Sequence, residues 1–402
     1  MNGAVPAAAP AAGAGPVRRA PLWQLGFRPF YLLASVFAAI SVPLWALQFA
    51  GLLPHAYLAG PLWHAHEMLF GFVLAVVVGF LLTAGSNWTG RPTLRGPALI
   101  ALAALWLAGR LLVVTPYAGL AAAINCAFPL AAAVALAVPF IAARNRRNYF
   151  FIALLLGMFA AQAVFHLSLL GVWGQAPHPT PWVGLQIGLD VLLLVISAVA
   201  GRVVPLFTNG AIPGAGAKRH IALERISAVT LVALLIADAA ALAGAALAPL
   251  AVACAAVQLA RWLCWRPWTA WRTPLLWILH LSYLWVAVHL GLRAAAAMGL
   301  TGPSPAVHAL AVGAAGGLIV GMMTRTARGH TGRPLRADGI DVACYVLVLT
   351  AAAVRVGGQL LTPSLIVPSV LLAAALWAGG FGLYAFRYGP WLLTPRADGA
   401  GK

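Results

Sequence analysis

The chain has 402 residues, 63% of them hydrophobic and only 8% charged, and its 25 Lys and Arg against 7 Asp and Glu give a net charge of +18. A soluble domain carries roughly 25% charged residues, so this composition excludes one and indicates an all-α polytopic membrane protein. The basic residues are scattered and form no aromatic–basic patch, so the charge faces anionic lipid and gives no reason to expect nucleic acid binding.

Residues 1–20 make an Ala/Gly/Pro-rich tail ending in Arg18-Arg19. It lacks the apolar core of a secretory signal and reads as disordered. Residues 21–390 then form one transmembrane domain, followed by a cytoplasmic tail at 391–402. Apolar runs of about 20 residues predict twelve spans, at 29–50, 64–84, 97–114, 118–141, 149–172, 182–207, 223–243, 245–263, 274–297, 304–325, 339–358 and 364–386. Pro249 alone separates the seventh run from the eighth.

The connections at 86–96, 142–148, 208–222, 264–273 and 326–338 carry twelve Lys and Arg, among them Arg91, Arg144, Lys218, Arg272 and Arg333, while the alternate connections carry none. That asymmetry predicts both termini in the cytoplasm. Cys126, Cys254, Cys264 and Cys344 are dispersed, with no CxxC or CxxCH. Disulfide frameworks, zinc ribbons and covalent c-type haem are therefore excluded.

This topology gives each histidine a depth. His64, His66, His166, His289 and His308 fall in the outer parts of spans, His55 and His178 in outer loops, His280 in the inner third of the ninth span, and His220 and His330 in the cytoplasm. Ionisable groups in lipid are costly and are seldom kept without a partner, a pore or a metal. Imidazoles gathered from several helices at one depth suit copper, or a b-type haem with one or two axial histidines. In a regular helix His64 and His66 point about 160° apart, so they would look into two adjacent pockets, a two-centre site. Glu67 shares a face with His64 and could hydrogen-bond a ligating imidazole. Asp190, the other acid in the outer part of a span, could pair with an arginine.

Arg110, Arg293 and Arg355 lie at outer ends, against the positive-inside trend. They either snorkel to headgroups or bind haem propionates. In the tenth span Gly313, Gly317 and Gly321 form a smooth ridge below His308. It suits close helix packing, or a flat macrocycle laid against backbone. The inner side has its own constellation: Arg202 ahead of Pro205 in the sixth span, His280 with Tyr283 in the ninth, and Thr324, Arg325, His330 and Arg333 closing the tenth. GHTGR reads as a structured turn that could also hold an anion or lipid headgroups. His280 is a candidate further ligand or quinone-binding group.

The stretches PLWQLGFRPFYL, WHAHEMLFGF, GFLLTAGSNWTGRP, Phe165-His166, GRVVPLFT, PLLWILHLSY, AVHALAVGAAGG and MMTRTARGHTGRP resemble those of the NnrS family over about residues 21 to 390. The resemblance implies a bacterial cytoplasmic-membrane protein containing haem and copper, linked to denitrification, that protects against nitric oxide and nitrosative stress. The family's motif histidines fall on His64, His66, His166, His280, His308 and His330. Two other functions stay open: a twelve-span transporter of a small solute, and a quinol-linked nitric oxide reductase-like oxidoreductase. The first lacks the expected acid in its second-to-third connection. The second lacks the adjacent His-His pair.

Overall fold

The computed structural model describes residues 20–52, 58, 60–172, 180–242 and 244–399. His55 and His178 lie outside them. The described residues are helical and contain no strand. Twelve long helices follow the order of the apolar runs: α1 Phe27–Phe49, α2 from Gly60 to Thr89, α3 Pro97–Leu112, α4 Ala118–Ala142, α5 Phe150–Leu169 and α6 Pro181–Ala211, then α7 Ile221–Ala239, α8 Ala248–Cys264, α9 Pro274–Ala297, α10 from Ser304 to His330, α11 Gly339–Leu361 and α12 Ile366–Leu393.

Among the described residues ten of them are long and apolar enough to cross a membrane, α8 when taken from Gly244. The other two depart for different reasons. Helix α3 has 16 residues, short for the ~20 that a span needs. Helix α7 carries Glu224, Arg225 and Asp238 within 19 residues. The chain is therefore a multi-pass membrane protein.

Local signals set the helix ends. Gly90 terminates α2 in the left-handed region, at φ 65°, where a side chain would be strained. Asp338 starts α11 through a capping box with Asp341. Prolines open α3, α6 and α9, where the missing N–H costs no hydrogen bond.

Helix α12 packs against α1 and α11, α5 against α4 and α6, and α9 against α8 and α10. The most enclosed helix is α2, whose apolar window is 78% buried, followed by α6 and α10 at 67% each. These enclosed helices carry His66 and Asp190, both buried, and His64 and His308, both half-buried.

Candidate functional site

The first turns of α2 carry the two histidines, and the helix widens to π-helix from Glu67 to Val73 directly after them. His66 is fully buried. Its Nδ1 lies 2.7 Å from Glu67 Oε1, so the carboxylate accepts the Nδ1 proton and leaves a lone pair on Nε2. That Nε2 lies 3.2 Å from His166 Nε2 on α5. Gln162, one turn before His166, brings its amide nitrogen within 3.3 Å of the same atom. Glu67 Oε2 lies 3.2 Å from Arg110 Nε on α3. Arg110 also donates to Asn125 Oδ1 on α4, whose own amide donates to the Ala121 carbonyl at 2.8 Å. Four helices thus meet around one imidazole pair through a polar chain in an apolar interior, in which Arg110 Nη1 and Gln162 Oε1 have no hydrogen-bond partner among the described residues.

His64 turns the other way. Its ring stacks on Trp45 of α1, with centroids 4.1 Å apart, and runs nearly parallel to His308 of α10 at 6.4 Å and 14°. His308 donates its Nδ1 proton to the Ser304 carbonyl at 2.8 Å, which leaves Nε2 as the free nitrogen. Arg355 on α11 acts electrostatically on both rings. Three buried atoms, His64 Nδ1, Arg355 Nη1 and Gln359 Oε1, have no hydrogen-bond partner among the described residues. Gln359 belongs to the same locality, since its amide donates to Ser304 Oγ at 3.0 Å. Buried polar groups are normally satisfied, and both histidine pairs have such unpartnered atoms beside them.

The other expected residues lie elsewhere. His280 accepts or donates at Nε2 with Thr208 Oγ1, 3.0 Å away, and contacts no other histidine ring. Asp190 pairs with Arg293, 3.2 Å away, which also bridges to Asp238 at 2.6 Å. Arg293 is therefore committed to two carboxylates. Arg202 donates to Asn148 Oδ1 at 2.7 Å. Arg325 lies over the Phe207 ring at 3.7 Å, and Arg333 over Trp391 at 4.1 Å. The His330 ring packs on Phe27, centroids 5.4 Å apart. A side chain at Gly313 or Gly317 would meet Trp285 or Ser282 of α9, so this ridge is filled by α9 and lies flush against it. Among the described residues, no three His, Cys, Asp or Glu side chains are grouped as a metal site. The arrangement is two histidine pairs, not one cage.

Four contributors went unnoticed in the sequence. Gln162 and Asn125 had a signal, being amides inside otherwise apolar helices. Gln162 also lies four residues from His166, on the same face. Gln359 is likewise one turn from Arg355. Nothing in the sequence marks Trp45 as a partner of His64.

No curated protein matches the sequence. The profile of the family described as NnrS protein matches residues 21–396, nearly the whole chain. The polar motifs read along the sequence and the paired histidines they build belong to one continuous match, and the chain is a member of the NnrS family.

Proposed function

We propose that the chain is a haem- and copper-binding protein of the bacterial cytoplasmic membrane, spanning it twelve times with both termini inside, that protects against nitric oxide by binding or redox-processing it or a metal nitrosyl. The observation that carries this reading is the His66–His166 pair, two Nε2 atoms 3.2 Å apart and buried. Imidazole nitrogens bind zinc-sized ions at about 2.0–2.1 Å, so two nitrogens this close can reach one ion. Neutral nitrogen donors suit copper.

The fit to haem rests on the second pair. His64 and His308 offer imidazoles with nearly parallel planes, and Arg355 Nη1, buried with no hydrogen-bond partner among the described residues, suits a propionate. Arg110, by contrast, is already engaged by Glu67 and Asn125. When bound, a haem or Cu(I) supplies an open coordination position that takes nitric oxide directly. The residues do the rest. Glu67 holds the His66 proton on Nδ1 and fixes the ring, and Gln162 presents an N–H to the pair. The surrounding apolar helices admit an apolar gas and exclude water.

The test is the optical spectrum and metal content of the purified protein. A Soret band that shifts with nitric oxide, together with copper that is lost in His66→Ala and His166→Ala, supports the proposal. Colourless, copper-free protein from cells supplied with both cofactors overturns it.

A further inference from the structure

We propose a second binding site, independent of the histidine pairs: the crevice between α2, α6 and α10 takes an acyl chain of an anionic phospholipid, whose phosphate rests on Arg325. The crevice is a half-open groove with a cavity volume of about 80 Å³, and apart from Tyr31 its walls are wholly apolar. On α6 it runs from Leu192 to Val204, a rise of about 18 Å at 1.5 Å per residue. A bilayer's hydrocarbon core is about 30 Å thick, so the crevice has the length of one leaflet. Its α6 and α10 walls include Val199, Val203 and Met322, which are partly exposed. The crevice therefore opens sideways and admits a chain from the bilayer.

One end of it is charged. Phe207 lies one turn beyond Val203 on α6, and Arg325 one turn beyond Met322 on α10, with the guanidinium 3.7 Å above the Phe207 ring. Arg325 is part-exposed and makes no hydrogen bond or ion pair with a described residue. The neighbouring arginines differ. Arg202 is bonded to Asn148, and Arg328 to Asp338 and Asp341. An uncommitted guanidinium at the end of a chain-length apolar slot matches an amphiphile with a phosphate head. A zwitterionic head would add a cation beside the arginine, and an isoprenoid quinone would leave the charge unpaired.

The experiment is native mass spectrometry of the purified full chain, titrated with palmitoyl-oleoyl phosphatidylglycerol or with phosphatidylcholine of the same chains. The wild type should hold one phosphatidylglycerol in preference to phosphatidylcholine. Arg325→Gln should weaken phosphatidylglycerol on the order of fivefold to tenfold and erase the preference, and Arg325→Lys should restore part of it. Val199→Phe, which narrows the slot without touching the charge, should weaken both lipids. Dihexanoyl phosphatidylglycerol and inorganic phosphate, having the head without a full chain, should not compete. Equal retention of the two lipids by the wild type, unchanged retention in Arg325→Gln or in Val199→Phe, or a quinone recovered in place of phospholipid would each overturn the proposal.

Discussion

Replacing Glu67 with glutamine separates the charge of the buried chain from its shape. Glu67 is 1% exposed and Arg110 7%, and the closest approach of the pair is 3.2 Å. Opposite unit charges at that distance attract by about 5 kcal/mol at an effective dielectric of about 20. Glutamine keeps the volume and can still accept the His66 Nδ1 proton. It removes the negative charge, however, and turns an amide N–H toward the guanidinium. An uncompensated charge left by breaking a buried pair costs roughly 3–5 kcal/mol. Glu67→Gln/Arg110→Met removes both charges and should recover most of that loss. Reversible unfolding in mixed micelles measures the stability of the wild type and the two variants. Copper titration measures the site, where loss of the partner that orients an imidazole typically weakens metal binding about 10- to 100-fold. A Glu67→Gln protein as stable as wild type, or a double variant no better than the single, refutes the coupling.

Other perturbations separate the two pockets and the scaffold. His64→Ala and His308→Ala should each lower the Soret absorbance per protein, whereas His280→Ala, whose side chain hydrogen-bonds Thr208 and neither histidine pair, should leave it intact. At Gly184 an added Cβ would stand 2.6 Å from the Phe165 backbone nitrogen and 2.7 Å from the Ala161 carbonyl oxygen. Backbone cannot move aside, so Gly184→Leu should push α5 off α6, cost about 1–3 kcal/mol and lose copper through displaced His166. Asp338→Ala removes the capping box of α11 and the ion pairs to Arg328 and Arg387, at a cost of about 1–2 kcal/mol. Burial alone would raise the Asp338 carboxyl, but the Asp341 N–H, Arg387 and Arg328 outweigh it and hold the group below its ordinary value. Its stabilisation is therefore complete above about pH 4 and is lost as pH falls through the lowered value. Melting curves should show a shallower acid limb in Asp338→Ala than in wild type.

The helices were legible because a run of apolar residues is a local property. The boundary at Pro249 survives as a break between α7 and α8, since proline at the second position of α8 opens a helix and does not interrupt one. The divergence of His64 and His66 was also legible, because two residues on one helix have a fixed angular relation. Partners across helices were not. The Asp190–Arg293–Asp238 bridge joins α6, α9 and α7, and no periodicity says which arginine an isolated aspartate meets. The Gly313–Gly317 ridge was read as a surface for close approach, by a helix or by a flat macrocycle. What approaches it is Trp285 and Ser282, a choice made by packing and not by the ridge itself.

The irregular winding of α2 and α10 ties these local and distant facts together. Each helix becomes π-helix immediately after its histidine, at Glu67–Val73 and Ala309–Gly316, and the two wide segments pack on one another. π-turns are rare and concentrate at functional sites. Each acts as a one-residue insertion, shifting the phase between the histidine and the helix below it by about 100°. In α2 the Gly71 carbonyl accepts from Trp106 Nε1 at 3.0 Å, and a side chain at Gly71 would collide with the Arg110 guanidinium. Glycine here is what lets Arg110 reach Glu67. In α10, Gly313 and Gly316 give the same room to Trp285 and Trp377. Straight α-helix through either segment would preserve the apolar stripe of the lower half and carry the imidazoles off their partners. Packing alone therefore does not require the π-turns; the alignment of His66 with His166 and of His64 with His308 does.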